Sequence, residues 1–212
     1  MMVPESEQLF LWKDARWIAG GAIILKAGRT SLKKWFIKES LERIDIINLG
    51  GGLPIKYKNV NIDVHPYIFK KIKEAIDWFG KEVYIEPGRF ICGPAVKLET
   101  EIIQVYDNNI VVNCSIYNCA LDTVLTNTKL LVEGEGEGEW YLIKGNSPTR
   151  DDIFRYRVRL KNPKVGDKLV FLNAGAYNYS TDFCGFKKLE TVYSSKRSSK
   201  KSVNFWHFLV SS

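Results

Sequence analysis

Histidine is nearly absent from this chain: His65 and His207 are the only two among its 212 residues. A histidine-rich metal centre is therefore excluded, and no metal-ligating set is expected. The four cysteines, Cys92, Cys114, Cys119 and Cys184, include no Cys-x-x-Cys pair, which argues against both a zinc site and a disulfide framework. No apolar run reaches the length of a membrane span. No basic stretch leads into an apolar one at the N-terminus, so the reading is cytoplasmic, with no membrane partner. Acidic residues are also in deficit, 24 against 31 basic, for a net charge of +7. Four of the basic residues, Lys196, Arg197, Lys200 and Lys201, sit in a Ser/Lys-rich tail over 194–212. That reads as a solvated terminus, and a nucleic-acid partner is not favoured.

What is present is an ordinary globular composition, 45% hydrophobic and 26% charged, long enough for one large domain or two small ones. Residues 1–43 carry weak patterns, with a turn and strand at Gly20–Leu25 and a helix from Ser31 to Arg43. From Ile44 the signal sharpens. Ile44 to Leu49 is a mostly apolar run ending in three glycines, as a buried parallel strand feeding a loop would. Pro66 to Phe79 places Ile68, Ile72, Ile76 and Phe79 at helical spacing, with Gly80 as the stop. Val83 to Ile85 is the next strand. Strand, helix, strand makes a βαβ unit over residues 44–93 whose strand-end loops are candidates for chemistry.

Beyond Leu98 the period changes from 3.6 to 2. Runs at 102–106, 110–114, 129–132, 140–143, 156–160 and 168–172 alternate with turn signals, which predicts a nearly all-β region over 98–193. The Glu/Gly alternation at 133–139 reads as an exposed loop with nothing to pack. The expected division is 1–95, a β/α segment; 96–193, a β domain; and 194–212, the tail.

Three motifs carry the chemistry. In Asn48-Leu49-Gly50-Gly51-Gly52-Leu53-Pro54, consecutive glycines let backbone N–H groups approach a phosphate without a Cβ in the way. In Glu86-Pro87-Gly88-Arg89, a carboxylate can hold a pyridine nitrogen protonated. The arginine three residues later can fork onto a phosphate. In Gly175-Ala176-Tyr177, the hydroxyl can donate to a phosphate oxygen.

In this order the three motifs resemble those of the fold-type III pyridoxal-phosphate decarboxylases, the ornithine/diaminopimelate/arginine decarboxylase family, over residues 44–193. The resemblance implies the C-terminal part of an alanine-racemase-like (β/α)8 barrel followed by a β-sandwich or β-barrel domain. It also implies removal of the α-carboxylate from a basic amino acid, with pyridoxal 5'-phosphate as cofactor. Gly50, Gly51 and Gly52 would hold the phosphate, Glu86 would face the ring nitrogen as the catalytic carboxylate, and Arg89 and Tyr177 would bind phosphate. The family's homodimeric sites imply a second copy, or a separate chain carrying the N-terminal barrel half, as partner.

The chain also departs from the family. The lysine that holds the cofactor's aldehyde belongs on the first barrel strand, and only residues 1–49 precede the triple glycine. Lys26 has a faintly similar neighbourhood at the wrong place in the fold. No histidine precedes the glycines to stack on the ring. The family's substrate-binding aspartate falls at Cys114, in Val112-Asn113-Cys114. Its catalytic cysteine falls at Ser147 or Pro148, near Asp152. These departures predict a chain that is inactive alone, either one piece of a decarboxylase or a non-catalytic or regulatory paralogue. Cys114 and Asp152 are kept as candidate substrate-side residues.

Overall fold

The computed structural model describes residues 45–60 and 62–193, with the backbone of residues 10–11 and 17–19. The expected strand at 20–25, the helix at 31–43, Lys26 and the basic tail lie outside the described residues.

The first sheet has four strands in the order β1-β2-β3-β4: β1 (Phe10–Leu11), β2 (Trp17–Ala19), β3 (Ile46–Asn48) and β4 (Glu82–Tyr84). β2, β3 and β4 are parallel, with Asn48 opposite Tyr84 at the carboxyl end of the β3–β4 pair. Helix α1 (His65–Phe79) connects β3 to β4 and buries Ile68, Ile72, Ala75 and Phe79. These pack with Ile47, Leu49 and Leu53 into one core. Pro66 starts the helix, and Gly80, at φ 58°, ends it by donating its N–H to the Ile76 carbonyl at 3.0 Å. The expected βαβ unit is present.

The Glu-Pro-Gly-Arg segment opens a short helix, α2 (Gly88–Cys92), followed by a 3-10 turn at Gly93–Ala95. Pro87 precedes the helix with φ −80°, close to the value its ring imposes, so it leads the chain into helical geometry.

The second sheet holds six strands in the order β7-β10-β5-β6-β8-β9. They are β5 (Leu98–Tyr106), β6 (Asn109–Val112), β7 (Leu131–Val132), β8 (Glu139–Lys144), β9 (Ile153–Leu160) and β10 (Lys168–Leu172). All pairs are antiparallel except β6 with β8. Alternation places Leu98, Thr100 and Ile102 of β5 inward, against Leu169 and Phe171 of β10 and a stacked Phe154–Phe171 pair at 4.8 Å.

Two corrections apply to the β region. Helices α3 (Ile116–Cys119) and α4 (Leu121–Thr126) interrupt it, where a nearly all-β segment was expected. α3 forms because Ser115 and Asn118 make a reciprocal capping box, a local signal that period-2 reasoning passes over. The 133–139 loop also packs in part. Arg155, buried on β9, forks onto Glu135 with Nη2 to Oε2 at 2.9 Å, and Glu135 accepts the Val132 N–H at 3.1 Å. No helix among the described residues is long and apolar enough to cross a membrane.

The segment between β3 and α1 joins the two halves. Leu53 belongs to the first core, whereas Ile55 and Tyr57 belong to the second. Phe90 of α2 packs against both.

Candidate functional site

The site begins at the carboxyl ends of β3 and β4. Leu49 N–H donates to the Tyr84 carbonyl at 2.9 Å, and Glu86 N–H donates to the Gly50 carbonyl at 2.7 Å. The two strand-end loops are therefore laced together. Gly50 and Gly52 have φ of 72° and 105°, the left-handed region where a side chain is strained. A Cβ on Gly51 would lie 2.6 Å from the Glu86 carbonyl oxygen, so the close approach itself demands glycine. The Asn48 side chain closes the arrangement. Its Oδ1 accepts the Gly50 N–H at 2.8 Å, and its Nδ2 donates to Glu86 Oε1 at 2.6 Å.

Arg89, three residues after Glu86, points into the second half. Its guanidinium forks onto Asp122, with Nη1 to Oδ2 and Nη2 to Oδ1, the latter at 2.8 Å. Nη1 also donates to the Tyr57 hydroxyl at 3.1 Å. The Asp122 hydrogen bonds hold the guanidinium charged, pushing its pKa above the ordinary arginine value against the opposing effect of burial. Burial pushes the Tyr57 phenol up, so it remains protonated at neutral pH.

Tyr177 covers Arg89 from the other side, its ring centroid 5.1 Å from the guanidinium carbon. The segment after β10 is held there by Gly175. Its N–H donates to the Gly93 carbonyl at 3.0 Å, and a Cβ on it would meet the Cys92 carbonyl oxygen at 1.9 Å. The adjacent Asn178 accepts the Asp122 N–H on its Oδ1 at 2.9 Å.

The structure thus brings Glu86 against the glycine loop and Arg89 against Tyr177. Asp122, only 2% exposed, is the partner that sequence reasoning missed. The chain has many carboxylates, and helix α4, which presents this one, falls between the predicted strands at 110–114 and 129–132. Cys114 and Asp152 lie in the interior of the second half. Asp152, 1% exposed, accepts the Ile116 N–H at 2.9 Å and the Ser147 N–H at 3.0 Å, tying α3 to the loop after β8. A hydrogen bond with Cys119, together with burial, pushes the Cys114 thiol above the usual cysteine range. Both residues carry structural contacts here.

The donors present fit a phosphate ester on an aromatic nitrogen heterocycle. The glycine loop runs against the Glu86 backbone, where a Cβ on Gly51 would meet the carbonyl oxygen. Two buried polar atoms on residues adjoining Asp122, Asn178 Nδ2 and Thr123 Oγ1, have no hydrogen-bond partner among the described residues. Arg89 keeps Nε–H and one Nη2–H unbonded among the described residues. One expectation is narrowed: Asp122 occupies the Arg89 fork, so a phosphate would meet its remaining N–H groups.

Known decarboxylases are similar to this chain in sequence and fold. The carboxynorspermidine/carboxyspermidine decarboxylase of Campylobacter jejuni is 24% identical over 184 residues, 77% of this chain and 46% of that protein. The lysine/ornithine decarboxylase of Selenomonas ruminantium is 26% identical over 157 residues, 69% of this chain and 40% of that protein. This chain resembles the C-terminal part of the fold-type III decarboxylases. It spans less than half the length of these curated relatives. Among solved structures, lysine decarboxylase from Selenomonas ruminantium superposes with a TM-score of 0.63 at 24% identity, covering 75% of this chain and 45% of that one. SrLDC in complex with PLP and cadaverine gives 0.58 at 25% identity, covering 71% of this chain and 42% of that one. No family model matches the chain.

Proposed function

We propose that this chain carries the phosphate and ring-nitrogen side of a pyridoxal-phosphate site, in a decarboxylase acting on a basic amino acid of the ornithine, lysine, arginine or diaminopimelate type. The observation that carries the reading is the pairing of distant motifs: the triple glycine with Glu86, and Arg89 with Tyr177. When bound, the cofactor supplies an electron sink for the pair left behind as the α-carboxylate departs. The glycine-loop N–H groups, the remaining Arg89 N–H groups and the Tyr177 hydroxyl bind the phosphate ester. Glu86 holds the ring nitrogen protonated by placing a negative charge beside it. Residues 45–93 are then the last unit of an alanine-racemase-like (β/α)8 barrel, and the chain works in the cytoplasm.

The chemistry further requires a lysine to hold the cofactor's aldehyde. We assign that lysine, and the rest of the barrel, to residues outside these 212, as on a separate barrel chain; a second copy in a homodimer would complete the dimer surface without supplying them. A second reading, a regulatory paralogue, is favoured by Ser147 and Pro148, neither of which offers a thiol acid where the family's cysteine falls. The test is a visible spectrum with added pyridoxal phosphate before and after borohydride, with carbon dioxide release measured on the four amino acids. Alone, the chain is expected to bind the cofactor weakly, to give no borohydride-trapped lysine adduct and to release no carbon dioxide. Gain of both on adding the barrel partner supports the enzyme reading, and binding without gain supports the paralogue. A trapped adduct with turnover by the chain alone overturns the partner assignment and makes Lys26 the first residue to examine.

A further inference from the structure

We infer that Asn48 is a positioning residue of this site: one carboxamide fixes the glycine loop and aims the Glu86 carboxylate. The inference rests on the cofactor reading above.

Asn48 is the last residue of β3, next to Ile47, which is buried in the core. Alternation along the strand turns Asn48 to the face opposite Ile47, and its carboxamide reaches Glu86 just beyond the end of β4. An asparagine there that only bonded the N–H two residues on would be an ordinary Asx turn. The bond to Gly50 is of that kind. The bond to Glu86 is not, because it reaches across 38 residues to the neighbouring strand end. The backbone bond from Glu86 N–H to the Gly50 carbonyl closes the same ring from the other side, and Gly51 fills the space between. Loop and acid are thereby one rigid unit, with Asn48 as its side-chain link.

The geometry also divides the two Glu86 oxygens. Oε1 is taken by Asn48, and Oε2 has no partner among the described residues. Oε2 is therefore the oxygen offered to the ring nitrogen. Only an amide of this length can do both jobs. Aspartate would accept the Gly50 N–H but set a second carboxylate against Glu86, and alanine would do neither.

Two probes separate these roles in the 212-residue chain: inorganic phosphate, which reads the phosphate contacts without the ring, and 4'-deoxypyridoxine 5'-phosphate, which adds the pyridine ring without an aldehyde. Affinities come from calorimetric titration, with circular dichroism and thermal melting as folding controls. Asn48→Asp is expected to leave phosphate affinity unchanged and to weaken the pyridine probe about ten-fold, the value of one charge-assisted hydrogen bond. Asn48→Ala weakens both. In a Glu86→Gln background, Asn48→Asp causes no further selective loss. A folded Asn48→Asp chain that loses both probes equally, or neither, overturns the positioning role while leaving the cofactor reading standing. An unaltered chain that binds neither probe overturns the cofactor reading and this inference with it.

Discussion

At the residue scale, Arg89 is held by a carboxylate, a phenol and an aromatic face at once, and the two ends of the ion pair are unequally hydrated. Asp122 is 2% exposed, whereas the Arg89 side chain is 23% exposed. Removing the arginine therefore strands a buried anion, while neutralising the aspartate leaves a cation still partly in water. Arg89→Ala is expected to cost about 3 kcal/mol and Asp122→Asn clearly less, as read from urea denaturation midpoints. A larger loss for Asp122→Asn would show that the cation is the more stranded partner. The Glu135–Arg155 pair makes a pH prediction. Burial pushes the Glu135 carboxyl up, but the Arg155 and Val132 hydrogen bonds and the Arg155 and Lys58 charges outweigh it and hold the pKa below the ordinary value. A depressed folded pKa stabilises the fold above the unfolded value of about 4.3 and loses that contribution as pH falls further. Denaturation midpoints are expected to drop below about pH 4.3, and Glu135→Gln to flatten that part of the profile.

At the element scale, the site depends on how closely the segment after β10 approaches α2. Gly175 allows that contact, because a Cβ there would meet the Cys92 carbonyl oxygen at 1.9 Å. Gly88, at the start of α2, has nothing within 4 Å of its notional Cβ. Gly175→Ala is expected to destabilise by about 1–3 kcal/mol and to move Tyr177 off Arg89. Gly88→Ala is expected to be neutral or stabilising by about 0.5 kcal/mol, since alanine narrows the unfolded ensemble. Thermal melting of both variants checks the contrast, and equal losses would mean that α2 and this segment do not touch as described.

At the scale of the whole molecule, two cores meet at Phe90, the residue after Arg89 and the one side chain of α2 that packs against both. Phe90→Ala is expected to cost about 2 kcal/mol and to separate the denaturation profiles of the two halves when helix and aromatic signals are followed together. Coincident profiles would show that the halves are coupled by other contacts. Much of this architecture is legible in the sequence, because it rests on local rules. Helical spacing and a left-handed glycine fix α1, an apolar run before three glycines fixes β3, and period-2 alternation marks the strands of the second sheet. The motif order likewise singles out Glu86, Arg89 and Tyr177 as candidates without any coordinates. What the tertiary structure alone decided is which groups those residues answer to. Asp122 lies 33 residues from Arg89, and Asn48 lies 38 residues from Glu86. Asp122 is one carboxylate among many with nothing local to mark it, and Asn48, though it opens the glycine motif, carries no local sign of its distant partner. The parallel pairing of β3 with β4 and the placement of Asp122 within reach of Arg89 select them, because a hydrogen bond needs its partner within about 3 Å, and only the folded chain sets that distance.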